Sequence, residues 1–167
     1  MKKKKILILS GGISKEREIS LETAKQVNNT IKKKYLTLLS EPNDNLIRNV
    51  NKFKPNIIFN ALHGRFGEDG YIQSVLEDLK IKYTHSGVLP SSIAMDKIIS
   101  KEIFIKNKIL TPKYLKFNFD SNILKKNKIK KKIKSKFKFP IIIKPINEGS
   151  SVDVYICSEK NLIKNLK

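Results

Sequence analysis

Apolar residues along the chain follow two alternating patterns. Short runs of Ile, Leu, Val and Phe predict β-strands, because such runs fill the buried positions of a sheet. Between these runs, apolar residues recur every three or four positions, as on one face of an amphipathic helix. The predicted strands cover residues 5–10, 35–40, 56–62, 82–86 and 112–117. The predicted helices cover residues 20–34, 45–53, 70–80 and 91–107.

This alternation of strand and helix predicts an α/β fold. Its expected core is a doubly wound, mainly parallel sheet with helices on both faces and right-handed crossovers. A length of 167 residues suits one domain or one and a half small ones. We expect a first domain over residues 1–96 and a smaller α+β lobe over residues 97–167. In such sheets, ligands bind at the carboxyl ends of the strands.

Polar loops with glycines follow the first and third predicted strands. The first loop, residues 10–20, begins with SGG, and the second, residues 62–70, is LHGRFGEDG. Each feature also has an ordinary structural explanation. The glycine pair could simply form a turn, and His63 could be a structural histidine. Glu68 and Asp69 could cap the next helix, because carboxylates favour a helix N-terminus.

A third loop, after the run FPIII, is harder to explain structurally. Lys144 lies directly at the end of this predicted buried strand. An ammonium group in such a place needs a nearby anion, or its desolvation is costly. Gly149 is followed by Ser150 and Ser151, whose backbone amides and hydroxyls suit phosphate oxygens. The lysine and the glycine-serine turn together predict an anion site.

The formal net charge of +20 raises the alternative of nucleic-acid binding. However, 32 of the 35 basic residues are lysine, and the chain has no tryptophan. Proteins that bind nucleic acid rely on arginine for bidentate contacts and on exposed aromatic residues for stacking. We therefore expect no nucleic-acid partner. The most basic segment, residues 125–138, has isoleucines at 129 and 133, which predicts a lysine-coated surface helix.

No window approaches the roughly 18 consecutive apolar residues of a membrane span, so we expect no membrane partner. The start, MKKKKILIL, lacks the small-residue cleavage site of a signal peptide. Cys157 is the single cysteine, so the chain cannot form an internal disulfide. These features favour a reducing, cytoplasmic location.

Three segments stand in this order along the chain: GGISKEREISLETA, NALHGRFGEDGYIQSVLEDLKIKYTHSGVLPSSIAMDKIISK and FPIIIKPINEGSSV. Together they resemble the D-alanine–D-alanine ligases of the ATP-grasp superfamily. The resemblance implies a pre-ATP-grasp, Rossmann-like substrate-binding domain over residues 1–96. It also implies an incomplete α+β ATP-grasp domain over residues 97–167. The implied activity is ATP-dependent formation of D-alanyl-D-alanine for peptidoglycan synthesis, through a D-alanyl phosphate intermediate.

The resemblance also implies residue roles. Glu16 would bind the ammonium group of the first D-alanine, and His63 would lie beside that substrate. Lys97 and Lys144 would bind the ATP phosphates. Two loop serines would complete the site. Ser151 would cover those phosphates, and Ser150 would bind them and also hydrogen-bond Glu16. Glu16 and Ser150 would be the catalytic residues. ATP and Mg²⁺, with Mn²⁺ as an alternative, are the implied cofactors, D-alanine and ATP the substrates, and a homodimer the implied assembly.

Two departures from the family pattern follow from the same resemblance. It stops at Lys167, about halfway through a family member, so the metal ligands are expected in a C-terminal half. The chain alone is therefore expected to be inactive. It could be a ligase polypeptide that is active when complete, or a non-catalytic remnant or split-gene half that only binds nucleotide. The second departure is Asp153, where the family usually has glycine; its carboxylate would repel the phosphates if it faced them.

Overall fold

The computed structural model describes residues 3–117, 123–149 and 151–166. The chain divides into two compact units, Met1–Asp96 and Lys97–Lys167. The elements of the first unit are β1 (Lys5–Leu9), α1 (Arg17–Ile31), β2 (Leu36–Ser40), α2 (Leu46–Phe53), β3 (Ile57–Asn60), α3 (Tyr71–Asp78) and α4 (Val88–Met95). Those of the second are α5 (Lys97–Lys106), α6 (Ile123–Lys136), β4 (Ile141–Ile143), β5 (Tyr155–Cys157) and α7 (Leu162–Asn165).

A parallel three-stranded sheet in the order β2-β1-β3 forms the centre of the first unit. Successive side chains of β1 point to opposite faces, as the pleat of a strand requires. Leu7 and Leu9 pack with residues of α2 and α3, whereas Ile8 packs with Ala24 of α1. Helices therefore cover both faces of β1. The predicted parallel sheet is confirmed.

The second unit contains an antiparallel pair, β4 and β5, in which Ile141 is opposite Cys157. Its apolar core also contains Ile133 of α6 and Leu162 of α7. Ile129 packs partly against this core, one helical turn before Ile133. The predicted lysine-coated helix is confirmed, because Ile129 and Ile133 face the core and the lysines from Lys128 to Lys136 are exposed or half-exposed.

Two of the predicted strands are not strands. The segment 82–86 forms only an isolated bridge with β3. The Ile58 amide donates to the Lys82 carbonyl, and the Thr84 amide donates to the Ile58 carbonyl. The ladder stops there because the next amide, that of Asn60, donates to the Thr84 hydroxyl instead of a carbonyl. The segment 112–117 is also irregular, although Leu115 and Phe117 still pack against the core of the second unit.

The helix predicted over residues 91–107 is two helices. Asp96 has an extended backbone, with φ −83° and ψ 106°, and separates α4 from α5. The amide of Lys97 donates to the carbonyl of Ile146, at 3.2 Å, instead of to a carbonyl of α4. A contact that is distant in sequence therefore ends the first helix and begins the second.

Candidate functional site

A cleft of about 390 Å³ opens in the first unit beside the loops that follow β1, β2 and β3. Gly11, Gly12 and His63 contribute to its walls. Most of its remaining wall is apolar and includes Leu62 and Ile72. The cleft therefore lies where the carboxyl ends of parallel strands meet, as the rule for such sheets predicts.

Glu16 lies at the N-cap position of α1 and is only 5% exposed. Its backbone amide donates to Ser14 Oγ at 3.0 Å. The loop after β3 approaches its carboxylate closely. A Cβ atom placed on Gly64 would lie 2.7 Å from Glu16 Oε2, and Gly64 has φ +68°. Only glycine fits here without strain, so the loop that carries His63 lies directly against the Glu16 side chain.

A fully buried serine joins the loops after β1 and β3. Ser20 Oγ accepts a hydrogen bond from the amide of Gly11 at 2.9 Å and donates to the carbonyl of Ala61 at 2.7 Å. Both bonds connect residues that are far apart in sequence. The serine hydroxyl therefore fixes the spacing between the two loops that contribute to the cleft.

The ion pair between Arg17 and Glu41 fixes the loop that contains Gly11 and Gly12. Arg17 makes two hydrogen bonds to the Glu41 carboxylate, at 2.6 and 2.8 Å, and a third to the Gly12 carbonyl at 3.0 Å. These hydrogen bonds from Arg17 hold the pKa of the Glu41 carboxyl below its ordinary value, and a hydrogen bond from the Gly12 amide acts in the same direction. The pair thus binds both backbone polar groups of one residue in the cleft wall, the amide and the carbonyl of Gly12.

His63 follows β3, lines the cleft and contacts α1. Its Nε2 atom lies 3.1 Å from Thr23 Oγ1. Thr23 lies two turns of helix beyond Glu16. Helix α1 therefore carries Glu16 at its N-cap and contacts His63 through Thr23. Glu16 and His63 therefore lie in the same small region of the first unit, joined through Gly64 and through α1.

Glu68 and Asp69 have structural partners within their own loop. Glu68 Oε2 accepts a hydrogen bond from the Gly64 amide at 2.8 Å. The two oxygens of Asp69 accept bonds from the amides of Phe66 and Tyr71, at 3.0 and 3.1 Å. These bonds fit the structural explanation of the two carboxylates, with Asp69 serving the start of α3.

In the second unit, Lys97 ties α5 to the loop after β4. Its ammonium group donates to the carbonyls of Ile146 and Glu148, at 3.1 and 2.5 Å. The same loop begins with Lys144, directly after β4. Lys97 therefore fixes the backbone path between Lys144 and the glycine-serine turn, which is a role that the sequence did not indicate.

Lys101 is a second basic residue of α5 beside this loop, and the sequence analysis did not single it out. Its ammonium group donates to Thr111 Oγ1 and to the Pro112 carbonyl, both at 2.8 Å. Burial lowers the pKa of Lys101, and the positive charge of Lys144 lowers it further. Two like charges therefore influence each other here, and an anion bound between them would relieve the repulsion.

The glycine-serine turn has unusual backbone geometry. Ser151 has φ +63° and Asp153 has φ +52°, both in the left-handed region that favours glycine. The amide of Val152 donates to the Gly149 carbonyl at 2.9 Å, which closes the turn. The predicted role of Ser150 lies outside the described residues. The left-handed angle at Asp153 is consistent with the expectation that glycine is the usual residue there.

In the part of the chain that the structure describes, no group of three or more His, Cys, Asp or Glu side chains is placed to hold a metal ion. The described helices also include none that is both long enough and apolar enough to span a bilayer.

Several residues that shape these sites were missed by sequence reasoning. They are Thr23, Arg17 with Glu41, Ser20 and Lys101. A usable signal existed only for Lys101, which lies four residues after Lys97 and hence one turn along the same helix face. The others act through partners between 5 and 41 residues away, and local periodicity carries no information about such pairs.

Comparison with known proteins gives matches along nearly the whole chain. A family model described as "D-ala D-ala ligase C-terminus" matches residues 103–166. A D-alanine–D-alanine ligase from Pelagibacter ubique (strain HTCC1062) is 67% identical over 165 residues, which cover 98% of this chain and 53% of that protein. One from Carboxydothermus hydrogenoformans is 39% identical over 98% of this chain and 53% of its own length.

Solved structures agree with this result. D-alanine–D-alanine ligase from Bacillus anthracis in complex with ATP is 32% identical, with a TM-score of 0.77, and the match covers 99% of this chain and 52% of that one. D-alanyl-alanine synthetase A from Vibrio cholerae gives a TM-score of 0.82 at 26% identity, over 99% of this chain and 55% of its own. The chain thus spans about half the length of the curated relatives it matches.

Proposed function

We propose that this chain, a relative of the first half of the D-alanine–D-alanine ligases, forms the D-alanine-binding and phosphate-binding part of an ATP-dependent, ADP-forming ligase. The complete enzyme would join two D-alanines for peptidoglycan synthesis in the cytoplasm. The observation that carries the proposal is the buried Glu16 carboxylate, held against the loop of His63 at the carboxyl edge of a parallel sheet. In this proposal residues 1–96 are a doubly wound, Rossmann-like substrate domain, and residues 97–167 are part of an ATP-grasp domain.

Glu16 is suited to hold an amino acid by its ammonium group. A carboxylate accepts charge-assisted hydrogen bonds from ammonium, and these are about twice as strong as neutral ones. Glu16 is nearly excluded from solvent, and this strengthens its attraction for a cation. We assign His63 to the orientation of the same substrate. Because Thr23 of α1 holds the His63 ring in place, the ring can orient a bound substrate at no further entropic cost.

In the second unit, we assign Lys97, Lys144, Ser150 and Ser151 to the phosphates. The mutual repulsion of Lys101 and Lys144 supports an anion at this place. Lys97 supports it by fixing the loop between Lys144 and the turn. When bound, ATP supplies the phosphoryl group that activates the D-alanine carboxylate. The chain's own contribution is to position that group and neutralise its charge, which is most of what phosphoryl transfer requires of a protein.

The described residues do not provide a set of metal ligands, so they do not fit Mg²⁺ and we derive no step through it. We propose that the metal ligands belong to the part of the relatives that this chain does not match. The same part would supply the remainder of the ATP-grasp domain. A homodimer is part of the proposal because the resemblance implies it.

A second candidate function is that of a split or remnant half that binds nucleotide without catalysis. The coverage favours keeping this candidate, because the chain matches only 53% of the P. ubique ligase. The two candidates differ in one outcome. A ligase half should support turnover of D-alanine when the part of the relatives that this chain does not match is supplied, whereas a remnant should not.

The test uses a hybrid ligase, in which these 167 residues replace the matched half of the P. ubique relative. We expect no D-alanine-dependent phosphate release from the 167-residue chain and measurable release from the hybrid ligase. In the hybrid, Lys144→Ala should lower kcat/KM for ATP by at least about tenfold, from the loss of a charged hydrogen bond. Lys113→Ala, an exposed lysine of the same unit, is the matched control.

The outcomes separate the candidates. Release by the short chain alone would mean that the catalytic groups are misplaced. Silence from the hybrid ligase would favour the non-catalytic half. An unchanged ATP dependence in Lys144→Ala would remove that lysine from the phosphate site.

A further inference from the structure

The hydroxyl of Thr23 has two polar neighbours and only one proton to give. Its Oγ1 atom lies 2.9 Å from the carbonyl oxygen of Ile19 and 3.1 Å from Nε2 of His63. A carbonyl oxygen can only accept, so at 2.9 Å the hydroxyl proton must point to Ile19. The alternative would place two oxygen lone pairs against each other at hydrogen-bond distance.

The second contact then has a fixed polarity. Because the Thr23 proton is committed to Ile19, the oxygen can act toward His63 only as an acceptor. The His63 Nε2 atom must therefore carry a hydrogen and donate it. In the neutral ring this leaves Nδ1 without a proton. No described residue forms a hydrogen bond with Nδ1, and the ring lines the cleft.

We propose that Thr23 is a positioning residue that fixes both the orientation and the tautomer of His63, so that Nδ1 is the ring atom presented to a ligand. A bare Nδ1 accepts hydrogen bonds. It is thus suited to an N–H or O–H donor of the substrate, and unsuited to a carboxylate. This inference rests on the proposed function for the identity of that donor, the ammonium group of D-alanine.

The place of Thr23 in the helix explains why its hydroxyl is well fixed. Thr23 lies in α1 and bonds the carbonyl four residues earlier, which is a common arrangement for threonine in a helix. Its β-branch restricts χ1, so the oxygen has few alternative positions. Valine has nearly the same shape without the hydroxyl, and serine keeps the hydroxyl on a less restricted side chain. Thr23→Val and Thr23→Ser therefore separate the chemical role from packing.

The first measurement is ¹⁵N NMR of the histidine rings in the 167-residue chain at about pH 8, where an ordinary imidazole is neutral. Long-range ¹H–¹⁵N correlations distinguish the two tautomers. We expect His63 to be protonated at Nε2, with a proton that exchanges slowly with water. In Thr23→Val that slow proton should be lost, and Thr23→Ser should retain it in part. His85, the other histidine, is the internal control and should not change.

The second measurement is the kinetics of the hybrid ligase. Thr23→Val should raise KM for D-alanine about fivefold, the effect of one hydrogen bond. The KM for ATP should stay unchanged, and Thr23→Ser should restore most of the loss. A purely structural role would instead lower the amount of active enzyme and leave both KM values alone.

A His63 ring protonated at Nδ1, or a His63 spectrum that does not respond to Thr23→Val, would overturn the inference. So would an unchanged KM for D-alanine in an active hybrid that carries Thr23→Val. If the hybrid is inactive even with Thr23, the fault lies in the proposed function, and the NMR result still decides the inference. If Thr23→Val does not fold, the tautomer of the unsubstituted chain and the Thr23→Ser spectrum decide it.

Discussion

Replacing Gly64 with alanine tests how the first unit builds its cleft. Gly64 has φ +68°, and an added Cβ would lie 2.6 Å from Ser14 Oγ and 2.7 Å from Glu16 Oε2. Real Cβ atoms do not tolerate such contacts, so Ser14 and Glu16 must move. Ser14 Oγ also accepts the Glu16 amide proton. The substitution therefore disturbs the turn that presents the buried carboxylate.

The expected loss in the free energy of unfolding has two parts. Substitutions at two other glycines, Gly12 and Gly87, distinguish them. A left-handed conformation costs a residue with a Cβ about 1–2 kcal/mol, and overpacking adds about 1–3 kcal/mol. Gly12 also has positive φ, +79°, but its nearest atom would be 3.4 Å away. Gly12→Ala should therefore show the conformational cost alone. Gly87 has φ −70°, and an added Cβ would meet Glu77 Oε1 at 3.6 Å and the Tyr83 hydroxyl at 3.8 Å, which are ordinary contact distances, so Gly87→Ala should be close to neutral.

The assay is urea unfolding of the 167-residue chain, followed by the amide signals of β1. We expect losses of about 2–5 kcal/mol for Gly64→Ala, about 1–2 for Gly12→Ala, and none for Gly87→Ala. In the hybrid ligase, Gly64→Ala should also raise KM for D-alanine. If Gly64→Ala unfolds at the same urea concentration as Gly87→Ala, the loop does not approach Glu16 as described.

Three further predictions concern charge and backbone strain. Burial and a hydrogen bond to Glu77 raise the pKa of Tyr83 to about 12; stability should therefore fall as pH rises from about 10 to 12, and Tyr83→Phe should remove this dependence from alkaline urea titrations. The pKa of Glu41 is lowered by Arg17, so the stability that the pair contributes should be lost as pH falls below about 4.5. Glu41→Gln should weaken this dependence of the free energy of unfolding on acid pH, and an unchanged dependence would contradict the pairing. Asp153→Gly should stabilise the second unit by about 1 kcal/mol, because it removes left-handed strain; equal urea midpoints would refute this.

The sequence predicts those parts of the fold that rest on local periodicity. Leu7, Ile8 and Leu9 form a continuous apolar run, and the structure buries all three between helices on both sides of the sheet. Ile129 and Ile133 are spaced one helical turn apart and meet the second core. In both cases the spacing of apolar residues is itself the cause of the packing, so it can be inferred without the structure.

The remaining features depend on partners that are distant in sequence. The break at Asp96 arises because the Lys97 amide bonds to Ile146, which lies 49 residues away. The bridge near Thr84 stops because one hydroxyl displaces a backbone acceptor. Periodicity does not encode either event. The candidate site shows the same division. Motifs identified Glu16 and His63, whereas the contact that orients the His63 ring became visible only in the folded chain.

The charge of helix α6 should give the second unit an unusual response to dissolved salt. Eight of its 14 residues are lysine, and among its described side chains Lys130 and Lys134 form ion pairs with one carboxylate, Glu159. Salt weakens attraction and repulsion alike between exposed charges, but here repulsive pairs far outnumber attractive ones. Added sodium chloride should therefore strengthen this unit, opposite to a protein held by surface ion pairs. In dilute buffer, the packing of Ile129 and Ile133 against the core must outweigh the mutual repulsion of the lysines. The stability of this helix should therefore depend on the ionic strength of its surroundings.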